Sequence, residues 1–277
     1  MRPEAPELLA NFVLTETLAV GGAATVWRAH EVNTGLPVAL KRLHPALAHV
    51  AEVRDAFAHE CLLLKTLGAP HVPQWLAQDT ECSLPWVAMQ FCEAKSWSDE
   101  SLSLHDEPTL CVRMMALCDA LEALHTLRDA QGPLGAVHRD LCPANVLVSE
   151  SHVVLVDLGL ATSRLRPRGP DALSHATLGY ASPERYTGEG PLDLRADLWA
   201  LGVMAWQSLA QKRLYVGDKF GVAGAIVDHP VPDVRVQNSS VSEAMSELIA
   251  SLVARDVHAR PASAIAVREA LARVLRG

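Results

Sequence analysis

The sequence predicts an α+β fold in two lobes: a small lobe built on an antiparallel sheet with one key helix, and a larger, mostly helical lobe. Three observations carry that expectation. Residues up to about 92 run mostly in short stretches of alternating apolar and polar residues punctuated by glycine, the period of half-buried strands. A single interval among them has helical spacing. Beyond a polar stretch, Glu93 to Pro108, apolar residues recur every three or four positions, the period of buried helices. With 277 residues, 49% of them hydrophobic and 20% charged, the chain can fill a core in each lobe.

The elements follow in order. Phe12 to Val20 alternates, and Thr25 to His30 and Leu36 to Leu43 repeat the pattern. Val50 to Leu67 is the helix: Val53, Phe57, Leu64 and Leu67 share a face, and Gly68 and Pro70 end it. Trp75 to Asp79 and Trp86 to Phe91 are short strands. In the second lobe Leu110, Met114, Leu117, Leu121 and Leu124 mark a long buried helix, with Met114 and Met115 as core filler. Val146 to Val148 and Val153 to Val156 read as strands, followed by an irregular stretch to Glu184. Leu194 to Leu209 is apolar nearly all round and predicts a central buried helix. Ser240 and Glu243 have the spacing of a capping box before a helix to Arg255, and Pro261 with Ser263 introduces the last one.

Composition excludes several functions. A formal charge of −8 and a pI of about 5.8 argue against non-specific nucleic-acid binding, which needs a concentrated positive field. No apolar run approaches the roughly 18 residues of a membrane span; the stretch from Leu198 to Trp206 is broken by Gln207. Glu4, Glu7 and Glu16 stand where an export leader would be basic and then apolar, so the expectation is a soluble, cytoplasmic protein. The six cysteines form no Cys-x-x-Cys pair, and the histidines build no zinc-ligand ladder.

Several strings carry chemistry. Between the first two long strands lies Ala19-Val20-Gly21-Gly22-Ala23-Ala24, a glycine hairpin that can lay backbone N–H groups over phosphate oxygens or serve as a plain tight turn. Val38-Ala39-Leu40-Lys41 puts a lysine on a strand, where an inward-facing ammonium needs a negative partner; Glu60 lies on the helix face that should be buried. The most informative string is Val137-His138-Arg139-Asp140-Leu141-Cys142-Pro143-Ala144-Asn145-Val146-Leu147, with Asp157-Leu158-Gly159 after the next strand. Asn145 and Asp157 offer oxygens suited to a hard cation such as Mg²⁺, and Asp140 can position a hydroxyl and accept its proton.

These strings, in this order, resemble a eukaryotic-type (Hanks-type) serine/threonine protein kinase domain of the kind also found in bacteria. The resemblance runs from about residue 11 to 275, with a small lobe over 11–92 and a large lobe over 93–275, and implies a protein-kinase-like two-lobed fold with a ligand cleft between the lobes. It implies ATP and Mg²⁺. Val20, Gly21 and Gly22 would cover the phosphates, and Lys41 would contact them and pair with Glu60. Val26, Ala39 and Leu147 would sandwich adenine. Met89 would be the gatekeeper, with Gln90, Phe91 and Cys92 the hinge. Asp140 would be the catalytic base, with Asn145 and Asp157 holding the metal. Arg139 would await a phosphate on the following segment, where Thr162, Ser163, Ser174 and Thr177 are acceptors, Arg164, Arg166 and Arg168 lie nearby, and Asp171 could partly stand in for a phosphate. Ser182-Pro183-Glu184 resembles A-P-E, with Glu184 pairing with Arg260, and Asp197 would brace the catalytic loop; these three are structural.

There are four departures from that family pattern. Ala19 and Ala24 replace the outer glycines; Leu158 replaces Phe; Thr126 to Gly135 is an extra loop, read as surface decoration; and Cys142 stands where a lysine neutralises the transferred phosphate, a contact whose loss costs on the order of 10²- to 10³-fold in rate. Cys142 could instead be a redox handle. Pro143 and Thr177 favour Ser/Thr acceptors over Tyr. The implied function is a cytoplasmic signalling kinase that phosphorylates protein substrates and itself. The alternatives are a nucleotide-binding pseudokinase scaffold and a small-molecule phosphotransferase, although the latter usually lacks the Ser-Pro-Glu segment. With nearly all of the chain assigned to the domain, regulation is expected from partners, modification or a neighbouring protein. Oligomeric state is not readable here.

Overall fold

Alternation along Phe12–Val20 (β2), Ala24–Glu31 (β3) and Pro37–Leu43 (β4) builds the sheet that the first ninety residues imply. The computed structural model describes residues 7–68, 70–100, 106–149, 152–167, 177, 179–188 and 193–277. The chain divides at Glu93/Ala94 into two compact units.

In the first unit, Glu7–Leu9 (β1), β2, β3, β4, Trp75–Asp79 (β5) and Trp86–Gln90 (β6) form one antiparallel sheet in the order β1-β2-β3-β4-β6-β5. One face is apolar: Phe12, Leu14, Ala29, Val38, Leu40, Trp86 and Ala88 form a core cluster, with Phe12 edge-on to Trp86. Residues directly opposite in an antiparallel sheet share a face. The pairs Val26–Lys41, Lys41–Val87 and Ala39–Met89 therefore place Val26, Ala39, Lys41 and Met89 on the other face. Helix α1, Ala51–Leu67, buries Phe57, Glu60, Leu63 and Leu64 and stops at Gly68, whose φ of +66° favours glycine. Arg54 fastens α1 to the loop before β6 by donating to the carbonyls of Thr80 and Cys82. Strand β1 was not legible, because three residues are too few to show a period.

In the second unit, Lys95–Ser96 (β7) leads into the short helix Trp97–Glu100 (α2), then α3, Glu107–His125. Asp106 caps α3 by accepting the Thr109 N–H at 2.8 Å, and Leu110, Met114, Leu117, Leu121 and Leu124 are fully buried. A hairpin follows, Arg128–Asp129 (β8) with Gly132–Pro133 (β9), within the interval expected to be loop. Val146–Val148 (β10) pairs with Val153–Leu155 (β11) and with β7. Pro183–Thr187 is α4, and Arg195–Ala210 is α5, buried along almost its whole length. Lys219–Asp228 (α6), Glu243–Leu252 (α7) and Ala264–Val274 (α8) complete the unit.

The capping box is a correction. Ser240 donates to Asn238 Oδ1 at 2.6 Å, so its hydroxyl is spent on the preceding turn. The cap is Ser242, which accepts the Met245 N–H at 3.1 Å and is itself held by Glu107 at 2.6 Å. The helix also ends at Leu252 rather than Arg255. Gly202 of α5 is required by close packing: a Cβ there would lie 2.7 Å from Leu252 Cβ and 2.8 Å from Val253 Cγ1. Among the described residues, no helix is long and apolar enough to cross a membrane.

Candidate active site

The sequence-selected residues fall into two sets, one in each unit. In the first unit the turn between β2 and β3 closes with Gly21 N donating to Ala24 O at 2.9 Å. Gly22 has open space where a side chain would be, and a Cβ on Gly21 would meet Ala24 O at 3.3 Å. Neither glycine has a positive φ, so their value is access to the backbone rather than an unusual conformation. Val20 beside them is exposed. Lys41 Nζ donates to Glu60 Oε1 at 2.6 Å, and the side chains retain only 12% and 8% exposure. That pairing is what an ammonium on an inward sheet face requires. Gln90 donates its N–H to Gln74 O at 2.8 Å, the Phe91 ring lies under the Arg28 guanidinium at 4.7 Å, and burial raises the Cys92 thiol.

The second set is built around residues 138–145. Asn145 comes off a 3-10 turn, Pro143–Asn145, and donates its amide nitrogen to Asp140 O at 2.8 Å and to Asp140 Oδ2 at 3.2 Å. The other carboxylate oxygen, Oδ1, accepts the Thr177 N–H at 3.0 Å. Burial pushes Asp140 above the ordinary carboxylate range; the Thr177 N–H and His138 oppose this, and Asp157 adds to it. Leu147 is half-buried on β10. Asp157 follows β11 at φ +62°, and Arg139 sits at φ +67°. Both conformations are uncommon for residues with a Cβ, and such strain collects at functional sites.

Asp197 holds this loop from α5. Its Oδ2 accepts the His138 N–H and its Oδ1 the Arg139 N–H, each at 2.8 Å, and Oδ2 also meets His125 Nε2 at 2.9 Å. Burial pushes the carboxyl up, but the hydrogen bonds and charge of His125 and His138 outweigh it and hold Asp197 below the ordinary value. Glu184, on α4, receives Arg260 through both oxygens at 2.9 and 2.8 Å. Arg260 also donates to the carbonyls of Ala254, Arg195 and Arg255 and stacks over Trp199.

Cys142 is a correction to the redox alternative. It is 1% exposed, and burial, with the Asp140 carboxylate nearby, pushes its thiol up; a reactive cysteine needs the opposite on both counts. Thr162 and Ser163 are buried at 8% and 4% exposure, which removes them as accessible acceptors in this conformation. Ser174, Arg168 and Asp171 lie outside the described residues. Sequence reasoning missed Arg185, which donates to Arg139 O and whose Nε and Nη2 are buried without a partner among the described residues. Burial and Arg185 together pull the Arg139 guanidinium down to about 10. It also missed His125; a histidine closing an apolar helix face was its one visible signal.

The α+β architecture and this loop define a chain of protein-kinase class. The solved structure of the Mycobacterium tuberculosis PknI kinase domain superposes with a TM-score of 0.72 over 99% of both chains, at 20% identity, which speaks to the fold. A family model described as protein kinase domain matches residues 12–272. The chain belongs to the protein kinase domain family. Similar curated proteins include serine/threonine-protein kinase Pkn1 of Myxococcus xanthus, 30% identical over 94% of this chain, and the DNA damage-responsive serine/threonine-protein kinase RqkA of Deinococcus radiodurans, 32% identical over 94%. The chain spans 38% and 39% of those two proteins' lengths.

Proposed function

We propose that the chain is an ATP- and Mg²⁺-dependent protein serine/threonine kinase that transfers the γ-phosphate of ATP to Ser or Thr hydroxyls of protein substrates and of itself, in the cytoplasm. Residues 11–275 would form the catalytic domain, 11–92 its small lobe and 93–275 its large lobe. The observation that carries this reading is the Asp140 carboxylate, oriented by N–H donors on both oxygens and pushed above its ordinary range by burial. So held, it can align a substrate hydroxyl and take its proton.

The residues present fit Mg²⁺. Asn145 spends its amide nitrogen on Asp140, which leaves the amide oxygen as a ligand, and Asp157 adds a carboxylate; oxygen donors few in number suit a cation that shares its sphere with phosphates and water. When bound, Mg²⁺ would neutralise charge developing on the transferred group. Lys41, aligned by Glu60, would bind phosphate oxygens, with Val20, Gly21 and Gly22 over them. Val26, Ala39, Met89, Gln90, Phe91, Cys92 and Leu147 would hold adenine. Thr177, on Asp140, fits a Ser/Thr acceptor alignment. Arg139, with Ser174 or Thr177, would link activity to phosphate on the segment.

The test is transfer of labelled γ-phosphate from ATP and Mg²⁺ to the protein itself and to a generic basic protein, with Lys41→Met and Asp157→Ala as controls. Wild type transfers, and each control loses roughly 10²-fold or more. Absence of transfer by wild type, with ATP still raising the melting temperature, would establish the pseudokinase scaffold instead.

A further inference from the structure

Residues 126–135 are extra to the family pattern, yet they form a shaped acceptor for one side chain. Strands β8 and β9 pair Arg128 with Pro133 and Asp129 with Gly132 across a two-residue loop. Gly132 (φ +127°) and Gly135 (φ +58°) adopt backbone that a Cβ would strain, so the conformation is specified by the sequence. Leu134 N closes the base of the hairpin by donating to Leu127 O at 2.8 Å, Leu127 N in turn donates to Leu124 O of α3 at 3.2 Å, and Leu134 itself is 2% exposed. Within it, Gln131 N donates to Asp129 Oδ1 at 2.8 Å, an Asx turn that orients the carboxylate before anything docks on it.

What docks is the segment that follows Asp157-Leu158-Gly159. Thr162 and Val137 exchange backbone hydrogen bonds at 2.9 and 3.0 Å, and Val137 directly precedes His138-Arg139-Asp140. Ser163 to Arg166 then closes a tight turn, and Arg164 N donates to Leu134 O at 2.7 Å. Among the described residues, the Arg164 guanidinium meets hairpin acceptors: Asp129 Oδ1 at 2.8 Å and Oδ2 at 2.7 Å, Gln131 Oε1 at 3.2 Å and Pro133 O at 3.4 Å. A lone exposed ion pair contributes little. Here both carboxylate oxygens share the one nitrogen Nη2, while Nη1 and Nε are taken by Gln131 and Pro133. With the carboxylate already oriented, an arginine met by four acceptors forms a network rather than a lone pair, the case in which such a contact has structural effect.

We propose that Asp129 is a positioning residue for phosphoryl transfer: the hairpin is a built-in brace that holds residues 158–166, and through them Asp157, by a permanent carboxylate on Arg164. This rests on the kinase reading above. The charge that a phosphorylated residue would bring to an arginine is supplied here by the chain itself, so this half of the segment keeps its place whether or not the protein is phosphorylated. Asp129 touches no reacting atom; it acts through Arg164 and the Val137–Thr162 pair on the placement of a metal ligand.

The experiment compares wild type with Asp129→Asn, Arg164→Ala, the double variant and the charge-exchanged pair Asp129→Arg with Arg164→Asp, all as the full chain. The first readout needs no activity: trypsin cleavage between Arg164 and Leu165, which requires the Arg164 side chain to leave Asp129. In Asp129→Asn that cut accelerates about fivefold, and phosphatase treatment of wild type leaves it unchanged. The second is kinetic: kcat falls about three- to tenfold in each single variant, KM for ATP stays within about twofold, and the Mg²⁺ concentration for half-maximal rate rises. The double variant is no worse than either single one, and the exchanged pair recovers most of the rate. Unchanged trypsin cleavage in Asp129→Asn, an unaltered Mg²⁺ requirement, or single losses that multiply in the double variant would overturn the brace. If wild type transfers no phosphate, the kinase reading fails, while the trypsin comparison still decides whether the hairpin holds the segment.

Discussion

Residues 138–145 have two sides with opposite electrostatics. Toward α5, Asp197 is completely buried and its carboxylate is met by two backbone N–H groups and His125, which holds it below the ordinary range. Toward Thr177 and Asp157, Asp140 has fewer donors and a neighbouring carboxylate, and it is held above that range. The arginines repeat the contrast. Arg260 has acceptors around its whole guanidinium, whereas Arg185, also buried, donates from one nitrogen among the described residues. Among the described residues, the Asp197 carboxylate and the Arg260 guanidinium thus have partners at every polar atom, whereas Arg185 and the Nδ1 of His125 do not. Environments that push two like groups apart in acidity are the usual way one site separates its roles.

The largest expected effect on stability comes from the satisfied side. Arg260→Ala leaves the Glu184 carboxylate buried and unpaired, and should cost about 3–5 kcal/mol in urea unfolding. A loss below about 1 kcal/mol would mean that the pair is not the anchor its geometry describes. Next, Gly202→Ala forces a methyl between α5 and the end of α7 and should cost about 1–3 kcal/mol. A stability-neutral alanine would break the close-packing explanation for that glycine.

The two aspartates should then differ in sign. Asp197 has a depressed folded value, so its contribution is present above the ordinary carboxylate pKa and is lost as pH falls through the folded one. Asp140 has a raised folded value, so the folded state binds its proton more tightly and loses stability as pH rises through that raised value. Asp197→Asn should therefore lower the melting temperature at neutral pH, and Asp140→Asn should leave it unchanged or raise it. Equal shifts of the same sign would erase the distinction. In the pH–rate profile, the acid limb should turn over above the ordinary Asp value, since protonated Asp140 cannot accept the substrate proton.

Much of the fold was legible because local periods carry it. The alternation of β2 to β4 and the three-four spacing of α3 are each contained in a dozen or so residues. The string from His138 to Asn145 was legible for the same reason: Asp140 and Asn145 are five apart on one turn, and their side chains meet. What sequence could not show are partners distant along the chain. Nothing near Arg139 announces Arg185, and nothing near Asp129 announces Arg164, because each pairing is made only when the chain folds back on itself. The capping box failed for a related reason: Ser240 and Ser242 both match a cap locally, and Asn238 and Glu107 decide between them. The hairpin within 126–135 was read as decoration because its glycines look like loop until Arg164 is placed against it.

The central claim is that Asp140, not the scaffold around it, carries the transfer of phosphate, and one measurement tests it most directly: the rate of γ-phosphate transfer by Asp140→Asn against wild type, at equal concentration of folded protein. The substitution keeps size and shape while removing the proton acceptor. A fall of about 10²- to 10⁴-fold with an unreduced melting temperature is the outcome required. A variant that transfers phosphate at the wild-type rate would contradict the assignment.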